Sequence, residues 1–113
     1  EKLLAEIAAA RVVLCPAREE GFGMVPLEAL AAGRPVVVSD IPAHREVCGD
    51  AALYAPVGDV DAWCASVRTA LSESKEWGAR GLKQARQWTW EAAAERLDAL
   101  LRAASRRRGR PRS

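Results

Sequence analysis

The chain has 113 residues, half of them apolar and 28% charged, with a formal net charge of +2. That composition describes one small, soluble globular domain with a real core. It excludes a membrane span, since no apolar run approaches the ~20 residues one needs, and no signal peptide opens the chain.

Residues 2–10 (Lys-Leu-Leu-Ala-Glu-Ile-Ala-Ala-Ala) predict a helix. Arg11-Val-Val-Leu-Cys15, closed by Pro16, has the unbroken apolar character of a buried strand. Pro26 near the start and Gly33 at the end frame a second helix over 24–32. Pro35-Val-Val-Val-Ser39 is a strand of β-branched residues, and Asp40-Ile-Pro opens a turn or short helix through Glu46. Ala52-Leu-Tyr-Ala55 is a third, weaker strand. Asp59 is an expected N-cap, followed by an amphipathic stripe of Val60, Trp63, Cys64, Val67, Ala70 and Leu71. Residues 74–87 are helical but weakened by Gly78 and Gly81. Thr89 should cap a last helix whose stripe is Trp90, Ala93, Ala94, Leu97, Leu101 and Ala104, ending near Ser105.

Strands alternating with helices imply an α/β fold with parallel pairing, here about three strands, half of a doubly wound, Rossmann-like sheet. Arg106, Arg107, Arg108, Arg110 and Arg112 crowd the last eight residues; without them the formal charge falls from +2 to −3. Residues 106–113 are therefore expected to form a disordered Arg-rich tail, because Gly109 and Pro111 argue against a helix. Peripheral contact with a membrane or another anionic surface is the sharper alternative; nucleic-acid binding is not expected. Cys15, Cys48 and Cys64 are odd in number and far apart, with no Cys-X-X-Cys and only His44 to assist. Neither a zinc site nor a disulfide framework is expected, which leaves buried reduced thiols in a cytoplasmic protein.

Ligands of open α/β sheets bind outside the carboxyl ends of the strands, which brings forward the loop after Cys15-Pro16. There, Glu20-Gly-Phe-Gly-Met-Val-Pro-Leu-Glu28 sets two carboxylates eight positions apart around a Gly-X-Gly turn that opens a helix. The free N–H groups and positive dipole end of such a junction suit a phosphate, and the carboxylates accept hydrogen bonds from sugar hydroxyls. Phosphate and sugar together point to a nucleotide-sugar site. Taken singly, each feature has a plainer explanation. Glu28 would complement the helix N-terminus for about 0.3–1 kcal/mol, and Gly21 and Gly23 would make a tight turn. The lone His44 is expected on a helix or turn surface, with a role as catalytic base as the alternative. Trp63 and Trp90 fall on apolar stripes and are expected in packing rather than in sugar stacking.

The combination resembles a family. Glu20-x7-Glu28 within Glu-Gly-Phe-Gly…Pro-Leu-Glu-Ala, followed by Ala-Ala-Gly33-Arg-Pro35-Val-Val, is similar to retaining glycosyltransferases of GT-B architecture, family 4 type (glycosyl transferases group 1). Ser39-Asp-Ile-Pro, Arg45-Glu-Val, Gly49-Asp-Ala-Ala-Leu-Tyr, Gly58-Asp-Val-Asp and Trp88-Thr-Trp90-Glu extend the resemblance over about residues 3–104.

The resemblance implies that residues 1–105 are the carboxy-terminal, donor-binding part of such an enzyme. It implies that Glu20 contacts hydroxyls of the donor sugar and stands as the catalytic candidate, and that Glu28 contacts the ribose. The amides around Gly21, Phe22, Gly23, Met24 and Val25 would lie near the sugar and diphosphate. The sugar would pass from a nucleotide-sugar donor, a substrate, to an acceptor with retained configuration, without a metal or other cofactor. The diphosphate-neutralising Arg and Lys and the amino-terminal acceptor-binding domain would lie upstream of Glu1, so the piece alone is expected to be inactive. The chain starts on Glu1 rather than Met, which also reads as a piece of a longer protein. A non-catalytic binding or regulatory module of the same fold is the competing reading, and an interaction protein acting through the Arg tail is a third.

Overall fold

Val36, Val37 and Val38 are completely buried and form the middle of a three-stranded parallel sheet. The computed structural model describes residues 2–19, 24–88 and 90–109. The chain runs α1 (Lys2–Ala9), β1 (Val13–Cys15), α2 (Met24–Ala31), β2 (Val36–Ser39), α3 (Pro42–Cys48), a 3-10 turn (Gly49–Ala51), β3 (Leu53–Ala55), α4 (Val60–Ser72), α5 (Ser74–Ala85) and α6 (Trp90–Gly109). Each predicted element is present with shifts of a residue or two at its ends, apart from α6. That helix continues past Ser105 through Arg106–Arg108 to Gly109. A glycine costs about 1 kcal/mol in a helix interior but little at its last position, and Pro111 restricts only the residue before it. Thr89 and residues 110–113 lie outside the described residues, as do the side chains of Trp90 and Ala93. No helix among the described residues is long and apolar enough to cross a membrane.

Strand order is β1-β2-β3, with Val13, Leu14 and Cys15 beside Val36, Val37 and Val38, and Val37, Val38 and Ser39 beside Leu53, Tyr54 and Ala55. Side chains alternate between faces along a strand, so this register sorts the core into two layers. Cys15, Val36 and Val38 meet Ile7 of α1, Ala29 and Leu30 of α2, and Val47 and Cys48 of α3. Val37 and Ala55 face the other way onto Ala70 of α4, with Trp63 and Val67 packed alongside. A sheet that grows in one direction with crossovers of one hand places both connections on one face, which is why α2 and α3 share a layer. The predicted α4 stripe holds for Trp63, Val67 and Ala70, but Val60 is 71% exposed and Cys64 is exposed as well. Helix α4 lies over β2 and β3, so its flank turns outward. For the same reason Leu14 on β1 keeps 48% exposure. The expectation of three buried thiols therefore fails at Cys64.

Asp59 caps α4 as predicted, its Oδ1 accepting from the Ala62 N–H at 3.0 Å. Helix α2 ends in a Schellman turn: the Gly33 N–H donates to Leu30 O at 3.0 Å and the Arg34 N–H to Ala29 O at 3.2 Å, with Gly33 at φ +73°. The turn sits hard against α5. A Cβ at Gly78 would lie 2.5 Å from the Gly33 carbonyl oxygen, and one at Gly81 3.1 Å from Leu30 Cδ2. The two glycines that weaken α5 in the sequence are thus what lets it approach α2.

Candidate functional site

All three strands end at one edge, on Cys15, Ser39 and Ala55. Of the residues singled out there by the sequence, Glu20, Gly21, Phe22 and Gly23 lie outside the described residues, as does the side chain of Met24. The flanks are described. The loop enters as Pro16–Glu19 and delivers the chain into α2 at Met24, whose first-turn N–H groups and positive dipole end stand at this edge. Val25 is 39% exposed on that turn. Glu28, one turn further on, is half-buried, and its carboxylate meets no hydrogen-bond or ion-pair partner among the described residues. A half-buried carboxylate with unspent acceptors is set up to receive hydroxyl donors.

The stem of the loop is held by a buried polar pair that the sequence did not reveal. Ser39 and His44 are both fully buried. The Ser39 hydroxyl reaches Cys15 O at 3.2 Å and also contacts Ala17 O, tying the exit of β1 to the end of β2. His44 Nδ1 lies 2.8 Å from Ser39 O and 3.3 Å from Ser39 Oγ. A carbonyl only accepts, so Nδ1 must carry the proton and donate. Ser39 then accepts at Oγ from His44 and gives its single proton to the carbonyls beyond. His44 is therefore no surface residue, as the sequence had suggested, and its Nδ1 is committed to the backbone. The signal was available: His44, Val47, Cys48 and Ala51 recur at i, i+3, i+4 and i+7, a buried stripe that runs along α3 into the 3-10 turn.

Beside this pair, Asp40 and Arg45 form an exposed two-pronged bridge, with Nε to Oδ1 at 2.8 Å and Nη2 to Oδ2 at 2.9 Å. The hydrogen bond from Arg45 holds the Asp40 carboxyl below its usual range and raises Arg45 in turn. The guanidinium lies 3.9 Å from the centre of the Tyr54 ring. The Tyr54 hydroxyl donates to Gly49 O at 2.6 Å. Burial pushes Tyr54 up to about 12 and Cys48 up to about 12. Both are neutral near pH 7, and neither supplies a nucleophile. Among the described residues, no three His, Cys, Asp or Glu side chains cluster as metal ligands would. Trp63 packs on the α4 layer and donates from Nε1 to Pro56 O at 2.9 Å, while Trp88 donates to Val47 O at 3.2 Å. These two rings serve packing, as expected for Trp63.

Comparison with known proteins agrees with this architecture. A family model described as "Glycosyl transferases group 1" matches residues 1–73. The O-antigen chain mannosyltransferase B of Escherichia coli is 46% identical over 88 residues, covering 74% of this chain and 23% of that protein. The D-inositol 3-phosphate glycosyltransferase of Corynebacterium diphtheriae is 32% identical over 106 residues, covering 88% of this chain and 25% of that protein. Among solved structures, a sucrose-phosphate synthase from Thermosynechococcus elongatus superposes with a TM-score of 0.74 at 27% identity, over 91% of this chain and 27% of that one. The chain thus spans about a quarter of the length of the relatives it matches. The matched residues, the level of identity and the shared sheet together show that the chain belongs to the glycosyl transferases group 1 family, with the GT-B fold.

Proposed function

We propose that this chain is the donor-binding part of a retaining glycosyltransferase, with the nucleotide sugar seated at the carboxyl edge of the sheet. The observation that carries the reading is Glu28: a half-buried carboxylate without a partner among the described residues, one turn into the helix that opens at this edge. In this reading Glu28 accepts from the ribose and Glu20 from hydroxyls of the donor sugar. The amides of Gly21, Phe22, Gly23, Met24 and Val25 face the sugar and diphosphate. The Ser39–His44 pair fixes the stem from which the loop departs, at Cys15 and Ala17. As the glycosidic bond breaks, negative charge grows on the departing diphosphate. The first-turn N–H groups and the positive end of α2 stabilise that charge more than they stabilise the ground state. The cations that neutralise the diphosphate come from a segment amino-terminal to these residues, and the acceptor site from an amino-terminal domain of the same enzyme, so transfer requires both. The protein acts in the cytoplasm, where nucleotide sugars serve as donors.

The test is a calorimetric titration of the intact protein with UDP-, GDP- and ADP-sugars, beginning with mannosyl donors because the Escherichia coli relative is a mannosyltransferase. Glu28→Gln removes a charged acceptor and should weaken the preferred donor by roughly 1.5–3 kcal/mol. A change below a few tenths removes Glu28 from the ribose.

A further inference from the structure

A polar cavity opens at the opposite, amino edge of the sheet. It measures about 280 Å³ and is lined by Arg11, Arg34 and Lys75, with Gly33, Leu71 and Ser74 among its other walls. These residues precede β1 and β2 or belong to the junction of α4 and α5, so the cavity faces away from the loop after Cys15. Its volume is near the lower end for small-ligand pockets.

Three cations line this cavity, and no carboxylate does. The acids nearest in sequence are engaged along α5. Glu76 pairs with Arg80 at 2.9 Å, and Glu73 Oε1 accepts from Trp77 Nε1 at 3.2 Å. Among the described residues Arg11, Arg34 and Lys75 form no ion pair. The Nε of Arg34 is sealed from solvent and has no hydrogen-bond acceptor. Such an orphaned donor is costly. The wall at Ser74 and Lys75 is the first turn of α5, whose N-cap residue Glu73 makes no side-chain capping bond. That turn adds N–H donors and a positive dipole end.

We infer that this cavity binds a phosphate monoester, with Arg34 and Lys75 as the main cations and Arg11 at the rim. A monoester carries nearly two negative charges at pH 7 and presents three strong acceptor oxygens. That suits three cations and a helix terminus better than a single carboxylate does, and a guanidinium matches phosphate geometry two oxygens at a time.

Glycerol phosphate is titrated into the intact protein by calorimetry, with amide chemical shifts followed in parallel. Vesicles of phosphatidylcholine with and without phosphatidic acid form a second arm. The expected result is saturable binding with shifts at Gly33, Arg34, Ser74 and Lys75, weakened at least tenfold in Arg34→Gln and in Lys75→Gln. Saturation by glycerol phosphate identifies a soluble ligand; retention only on phosphatidic acid vesicles identifies a lipid headgroup. Lys75 is exposed, so Lys75→Gln decides alone if Arg34→Gln fails to fold. Binding in neither arm, shifts confined to residues 16–28, or undiminished affinity in Lys75→Gln overturns the inference. Glu28→Gln should leave this titration unchanged, which separates it from the donor site.

Discussion

Gly78→Ala gives the packing its sharpest test, because sequence and structure disagree on the sign. By helix propensity the change stabilises α5 by about 1 kcal/mol. In the fold, the new Cβ would stand 2.5 Å from the Gly33 carbonyl oxygen, against a comfortable non-bonded separation of roughly 3.5 Å. The obstacle is backbone, locked by the two Schellman hydrogen bonds that end α2, so no side chain can rotate away. Helix α5 must retreat by about 1 Å, and a gap of that size forfeits a quarter to a half of the local dispersion energy. The upper half of the usual overpacking cost, about 2–3 kcal/mol, then applies. Less the propensity gain, the net loss is about 1–2 kcal/mol, a fall in Tm of roughly 5–15 °C for a domain of this size. Urea and thermal unfolding of parent and variant measure it. Gly81→Ala is the internal control: its Cβ meets the end of the Leu30 side chain at 3.1 Å, so contact and propensity should nearly cancel. A Gly78→Ala protein as stable as the parent would refute the close approach of α5 to α2.

Three further outcomes follow from the site. Ser39→Ala removes the only proton that the pair offers to Cys15 O and Ala17 O; urea unfolding should show a loss of about 1–3 kcal/mol, and amide exchange should quicken next to Ala17. An unchanged exchange rate there would mean that the pair does not hold the loop. If Glu20 accepts from sugar hydroxyls and Glu28 from ribose, Glu20→Gln should weaken the nucleotide sugar but spare the free nucleoside diphosphate, while Glu28→Gln weakens both; calorimetry with each ligand separates them. Alkaline pH should also destabilise the fold. Cys48 is raised from 9.0 to about 12 and Tyr54 from 10.0 to about 12, mainly by burial. Up to about pH 8 both groups are neutral, folded or unfolded, and their contribution to stability is complete. Above it the unfolded chain ionises first, so stability falls until about pH 12. Urea midpoints across that range should decline, and in Tyr54→Phe the decline above pH 10 should be shallower.

How much of this could be read from the sequence depended on the range of the interaction involved. Helix and strand signals act over a few residues, and they placed the strands and the α-helices, apart from the end of α6: the valine run of β2, Asp59 as a cap, and the Pro26–Gly33 frame of α2. The Glu20–Glu28 spacing is also local, and in combination with the motifs that follow it pointed to the family. What the sequence hid was contact across the chain. Ser39 and Cys15 are 24 positions apart, and no periodicity within either strand announces that a serine hydroxyl will bridge them. Gly78 and Gly81 read as weak points because propensity counts only a helix's own cost; their function lies in Gly33 and Leu30, more than 40 residues earlier in the chain. His44 was a different failure. Its buried stripe was visible at helical spacing, but a general expectation about lone histidines outweighed the pattern. Arg34 combines both difficulties. In the sequence it is one residue of a turn before a strand; its buried, unpaired Nε and its place beside Ser74 and Lys75, at the edge opposite the Glu20 loop, appear only in the fold.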